Sequence, residues 1–94
     1  MAKLLAENEL TQRVTQLVNW QRQGQEIVRH CKFPDFKAAM AFVNSVAEEA
    51  EKIDHHPDIL IQYNKVRLTL STHSAGGLTD LDLTLAQTIN TLNS

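Results

Sequence analysis

The sequence predicts an α+β fold: a four-stranded antiparallel sheet with three helices packed on one face, in the order α-β-β-α-β-β-α. Three observations predict it. Apolar residues recur at helical spacing in three separated segments. Between them lie two pairs of short segments, the clearest of which alternates strictly, with Val66, Leu68 and Leu70 on one side and Arg67, Thr69 and Ser71 on the other. A turn joins each pair, so each reads as a hairpin, and two hairpins among three helices most simply make one sheet with a helical layer.

The first helix spans 7–18, where Leu10, Val14, Leu17 and Val18 recur on one face. Trp20 follows as a core or rim anchor. Residues 19–23 and 26–33 form a hairpin around Gly24, with β-branched Ile27 and Val28 in the second strand. His30 in that strand belongs to no cluster. Pro34 stops the strand and Asp35 caps the next helix, because its carboxylate can accept from the first free backbone N–H groups.

That helix, 36–53, is the longest element. Phe36, Met40, Val43, Val46, Ala47, Ala50 and Ile53 make the expected core stripe. A second seam of Ala38, Ala41, Phe42 and Ser45 widens the apolar surface beyond what one sheet contact needs, which predicts a partner helix. Glu48 and Glu49 read as a solvated face, while Glu51, four residues before His55, has a better claim to a role. Strands at 59–63, with Ile59 and Tyr63 sharing a face, and at 66–72 follow, turning at Asn64-Lys65. Extension of the second strand's parity sets His73 on its polar side. Gly76 and Gly77 precede the last helix, capped by Thr79 with Asp82 at the third helical position. Leu78 and Leu83 form its staple, and Leu81, Leu85, Ile89 and Leu92 its buried stripe.

Ninety-four residues make one domain with little spare core, so oligomerisation is expected. A net charge of −2 argues against nucleic acid or an anionic membrane as partner. No apolar run approaches the ~20 residues of a membrane span. The opening MAKLLAENEL turns acidic too early for a signal peptide. A lone Cys31 reads as a small buried hydrophobe and fits a reducing, cytoplasmic setting.

The chemistry concentrates in 51–82, which holds three of the four histidines. His55 and His56 are followed by Pro57, which biases His56 toward extended backbone. Neighbours in an extended segment point to opposite sides, so both rings rarely serve one metal. Two antiparallel strands can return His73 beside this loop. Imidazoles, with an ordinary pKa of about 6.5, both donate and accept protons near neutrality. Glu51 or Asp54 could orient one ring. Zinc held by His55 or His56, His73 and a carboxylate is an alternative, although no H-x₃-H or H-E-x-x-H spacing is present. A hydrolase using Ser45, Ser71 or Ser74 lacks a nucleophile elbow, and Ala75-Gly76-Gly77 falls short of a phosphate loop. The residues alone reach a small α+β domain with a candidate acid–base histidine site.

Glu51, His55-His56-Pro57, Tyr63, His73 and Asp82 reproduce a spaced signature, flanked by EK-x-DHHP, YNKV, TLSTH and GL-x-x-x-D-x-x-LA. In these the chain resembles the pterin-4a-carbinolamine dehydratase family, with weaker similarity back through 33–42 and Trp20. The resemblance implies an enzyme that removes water from 4a-hydroxytetrahydropterins to give quinonoid dihydropterin, recycling the cofactor of aromatic amino acid hydroxylases. It implies no metal or prosthetic group. By position it makes His55, His56 and His73 the acid–base groups, with Glu51 supporting a histidine. Asp54, Ser71, Thr72 and Ser74 become pterin contacts, partly through backbone. Asp82 reads equally as part of the site and as a helix cap. Leu81 stands where some members carry Arg, and the 74–77 loop varies among members. The resemblance also implies a dimer or tetramer through the helix at 36–53. As an alternative or additional role it implies a dimerisation cofactor of a transcription regulator, a hydroxylase partner, or an assembly helper in which catalysis is vestigial.

Overall fold

The computed structural model describes residues 2–92. Among them the chain forms α1 (Glu7–Thr15), β1 (Trp20–Gln23), β2 (Glu26–Lys32), α2 (Phe36–Lys52), β3 (Asp58–Gln62), β4 (Lys65–Leu70), a 3₁₀ turn (His73–Ala75) and α3 (Asp80–Asn90). The expected α-β-β-α-β-β-α order holds. The strands make one antiparallel sheet in the order β1-β2-β4-β3. The two hairpins therefore meet through β2 and β4, which carry Ile27, Val66, Leu68 and Leu70 into the core beneath the helices. No helix among the described residues is long and apolar enough to cross a membrane.

Four readings of the sequence shift. The first helix ends at Thr15, and Val18 is exposed, because the chain turns through Asn19 at φ 73 to start β1. The core face of α2 consists of Ala39, Phe42, Val43, Val46 and Ala50, whereas Phe36 and Ile53 are exposed and Met40 and Ala47 lie outside the core. Small Ala39 and Ala50 let the helix axis approach the core closely, and Phe42 stacks at 5.1 Å on Phe33. Phe42 thus leaves the second seam for the core. The second hairpin turns one residue early, at Tyr63 and Asn64, with Gln62 pairing Lys65. Asn64 is drawn there by two links to Phe33: its Nδ2 donates to the Phe33 carbonyl at 2.8 Å, and its own carbonyl accepts from the Phe33 N–H. Tyr63, at φ 53 in the turn, shares no strand face with Ile59. In α3, Leu83, Leu85, Ala86 and Ile89 are buried with Asp82, while Leu81, and Leu92 just beyond the helix, are only partly so.

The caps hold as read. Asp35 accepts from the Ala38 N–H at 2.8 Å, and Thr79 with Asp82 forms a reciprocal capping box. Leu78 and Leu83, the staple pair, are both buried. Trp20 is buried, and its Nε1–H and Arg29 Nη1–H both donate to the side-chain oxygen Oδ1 of Asn90, each at 3.0 Å, tying the end of α3 to the sheet. Cys31 is also buried, and burial pushes its thiol above the ordinary range.

Candidate functional site

The site is built where α2 gives way to β3. The helix stops at Lys52, and Asp54 takes φ 50, a left-handed conformation that a non-glycine residue enters at some cost. The Asp54 N–H donates to the Glu51 carbonyl and the His55 N–H to the Ala50 carbonyl, which hold the reversal. Pro57 then keeps the chain extended into β3, and the two rings diverge. His55 turns inward and is largely buried, whereas His56 stays exposed.

The opposite wall comes from β4 and the loop after it. The register pairs Asp58 with Thr69, which fixes the His-His-Pro loop beside the end of β4. The strand stops at Leu70, so the simple parity that put His73 on the polar side does not extend to it. Instead Thr72 bridges to Gly77, its N–H donating to the Gly77 carbonyl at 2.8 Å, and the intervening turn carries His73 and Ser74. Gly76, at φ 79, closes that turn in a conformation suited to glycine.

Between the walls lies a recess of about 220 Å³, lined by Asp54, His55, His56, Asp58, Thr69, Ser71, Thr72, His73 and Ser74. Seven of the nine residues that the sequence put forward as site residues line it; Glu51 and Asp82 stand behind the rings. Asp58 and Thr69 are additional. Thr69 was already legible as a polar-face neighbour of Ser71, and Asp58 becomes visible only through its pairing with Thr69. Ordinary ligand pockets run to ~300–1,000 Å³, so this recess suits one compact ring system.

Two carboxylates anchor two imidazoles. Asp82 Oδ1 lies 2.6 Å from His55 Nε2, and Glu51 Oε2 lies 2.5 Å from His56 Nε2. Asp82 is fully buried, and its other oxygen accepts from the Thr72 hydroxyl at 2.7 Å and the Thr79 N–H at 2.9 Å. The cap and the site are therefore one structure: Asp82 closes the start of α3 and holds His55. The ring of His73 has no hydrogen-bond partner among the described residues, and the Ser71 hydroxyl donates to the Gln25 carbonyl. No group of three or more His, Cys, Asp or Glu side chains is placed to share a metal ion among the described residues. With Nε2 occupied by a carboxylate, His55 and His56 each have Nδ1 left for a ligand. A neutral ring accepts a proton there and a charged ring releases one.

A sequence model of the pterin 4 alpha carbinolamine dehydratase family matches residues 3–92. A Cyanothece protein is 53% identical over 93 residues, covering 99% of this chain and 96% of its own length. One from Acidobacterium capsulatum is 53% identical over 88 residues, covering 94% and 96%. Both are named provisionally as pterin-4-alpha-carbinolamine dehydratases. Among solved structures, a transcriptional coactivator/pterin dehydratase from Brucella melitensis superposes with TM-score 0.88 at 40% identity, over 93% of this chain and 95% of that one. A pterin dehydratase-like RuBisCO assembly factor of the alpha-carboxysome shares the fold, with TM-score 0.65 at 21% identity over 78% of this chain and 87% of its own.

Proposed function

The chain belongs to the pterin-4a-carbinolamine dehydratase family, and from that premise we propose that it dehydrates 4a-hydroxytetrahydropterins to quinonoid dihydropterins. The observation that carries the reading is the meeting of His55, His56 and His73 around one recess of ring-system size. The reaction needs two proton movements and no electron transfer. The bond from carbon 4a to the hydroxyl oxygen breaks as that oxygen gains a proton and leaves as water, and a ring N–H gives up its proton. Imidazoles on different walls suit such a pair of steps, each step typically worth ~10²–10⁴-fold in rate. In this reading Asp54, Ser71 and Ser74 meet the polar edge of the pterin and Glu51 and Asp82 hold the rings, whereas Thr72, expected as a further contact, has its hydroxyl, N–H and carbonyl already engaged within the protein.

The test is dehydration of freshly generated 4a-carbinolamine by purified protein, followed by stopped-flow absorbance. A rate well above the spontaneous one, abolished in His55→Ala and His73→Ala, is expected. A rate equal to the spontaneous reaction at saturating protein ends the enzyme reading.

A partner role can stand beside it. Phe33, Ala38, Ala41, Phe42, Ser45, Thr91 and Leu92 line an open groove of about 560 Å³ along α2, with exposed Phe36 on the same helix. This is where the second seam of small residues would meet another copy of the chain, as in a dimer or tetramer. The Brucella structure, named both coactivator and dehydratase, favours a regulator as a further partner. A particle mass of one chain at micromolar concentration by light scattering would remove the oligomer.

A further inference from the structure

We propose that Thr72 is a positioning residue for His55: with Thr79 it holds Asp82 so that the neutral His55 ring carries its proton on Nε2. The proposal extends the dehydratase reading, since it names what sets the state of one of its histidines.

The directions of the hydrogen bonds follow from counting protons. Asp82 as a carboxylate has only acceptors, so the Thr72 hydroxyl, 2.7 Å from Oδ2, must donate to it. Thr72 then has no proton left for Thr79, whose Oγ1 lies 2.8 Å away, so Thr79 donates to Thr72. The Thr79 oxygen in turn accepts from the Leu81 N–H at 3.2 Å. With Thr72 O–H and Thr79 N–H both on Oδ2, the face of Asp82 toward His55 is the free acceptor Oδ1, which requires Nε2–H in the ring. Each donor in the chain has one acceptor, and each is buried or nearly so: Thr72 is 5% exposed, Thr79 and Asp82 are 0%. The Thr72 hydroxyl is thereby committed to Asp82, while its backbone N–H donates to the Gly77 carbonyl and its carbonyl accepts from the Ala75, Gly76 and Gly77 N–H groups.

The same count says why an amide cannot replace Asp82. In Asp82→Asn the single carbonyl oxygen is claimed by Thr72 O–H and Thr79 N–H, so the NH₂ group faces His55. Nε2 must then accept, and the ring proton moves to Nδ1, the nitrogen that Asp82 does not hold. A shape-conserving substitution thus inverts donor and acceptor between the two ring nitrogens.

The experiment is ¹⁵N NMR of histidine-labelled protein with its imidazoles neutral, the His55 signals being identified by their loss in His55→Gln. Wild type should show the Nε2–H tautomer and Asp82→Asn the Nδ1–H tautomer. Thr72→Val leaves Asp82 a carboxylate and so should keep the Nε2–H tautomer, but it frees Asp82 Oδ2 and should lower kcat about tenfold with KM within about twofold; Thr72→Ser should restore kcat. Thr72→Ser keeps the proposal testable if Asp82→Asn does not fold. An Nδ1–H tautomer in wild type, an unchanged tautomer in folded Asp82→Asn, or equal kcat in Thr72→Val and Thr72→Ser overturns it. Wild-type protein without dehydratase activity would defeat the enzyme reading, while the tautomer measurement would still decide this one.

Discussion

His55–Asp82 and His56–Glu51 are the same chemical pair in adjacent positions, 2.6 and 2.5 Å long, yet they sit in opposite settings. The side chains of the first are 10% and 0% exposed, those of the second 53% and 74%. Distance alone would weigh them equally. Burial separates them, because an exposed ion pair is screened and held by two mobile side chains, whereas a buried carboxylate relies wholly on its partners. The inner pair is also joined to the start of α3 and to the end of β4 through Thr79 and Thr72. The outer pair belongs to one local segment, five residues apart. The lesson is that one His-His dipeptide supplies a rigid ring and an adaptable one.

Asp82→Ala should produce the largest effect. It removes the buried partner of His55, strands the Thr72 hydroxyl and the Thr79 N–H, and opens the capping box. Breaking a buried pair costs about 3–5 kcal/mol, a large part of a small domain's stability. Chemical denaturation should show a loss in that range. A loss below about 1 kcal/mol would place the inner pair in the same class as the outer one. Glu51→Gln is the matched change on the outer pair. It should cost no more than about 1 kcal/mol, the ceiling for exposed pairs, and leave the unfolding midpoint nearly unmoved. A destabilisation equal to that of Asp82→Ala would erase the distinction.

Much of this was legible in the residues. Alternation in Val66–Leu68–Leu70, the caps at Asp35 and Thr79 and the turn at Gly24 each rest on local geometry that the surroundings do not override. The face of α2 was less legible. Two apolar seams overlap on that helix, and the expected stripe included Phe36, Met40 and Ile53, whereas close packing on the sheet selected Ala39 and Phe42 beside the expected Val43, Val46 and Ala50. Periodicity measures hydrophobicity, not how near two backbones must come. At the site, the spacing Glu51–His55–His56–His73 led to the residues around the recess. It left open whether Asp82 caps a helix or serves the site. The answer, that one carboxylate does both, depends on which of its two oxygens faces which neighbour, and no one-dimensional pattern carries that.

Salt offers the smallest and most selective comparison. Raising ionic strength to 1 M shortens the screening length to about 3 Å, which weakens exposed charge pairs and reaches buried ones much less. Wild-type activity relative to Glu51→Gln should therefore converge, the two differing by less than about twofold at 1 M NaCl even where they differ more in dilute buffer. The deficit of Asp82→Asn should persist undiminished over the same range, because no counterion can replace a hydrogen bond made inside the core. Both ratios are taken within one salt concentration, so general effects of salt on substrate and protein cancel. If the Asp82→Asn deficit shrank in parallel with that of Glu51→Gln, the inner pair would be acting as a screened charge, and burial would not be what distinguishes the two histidines.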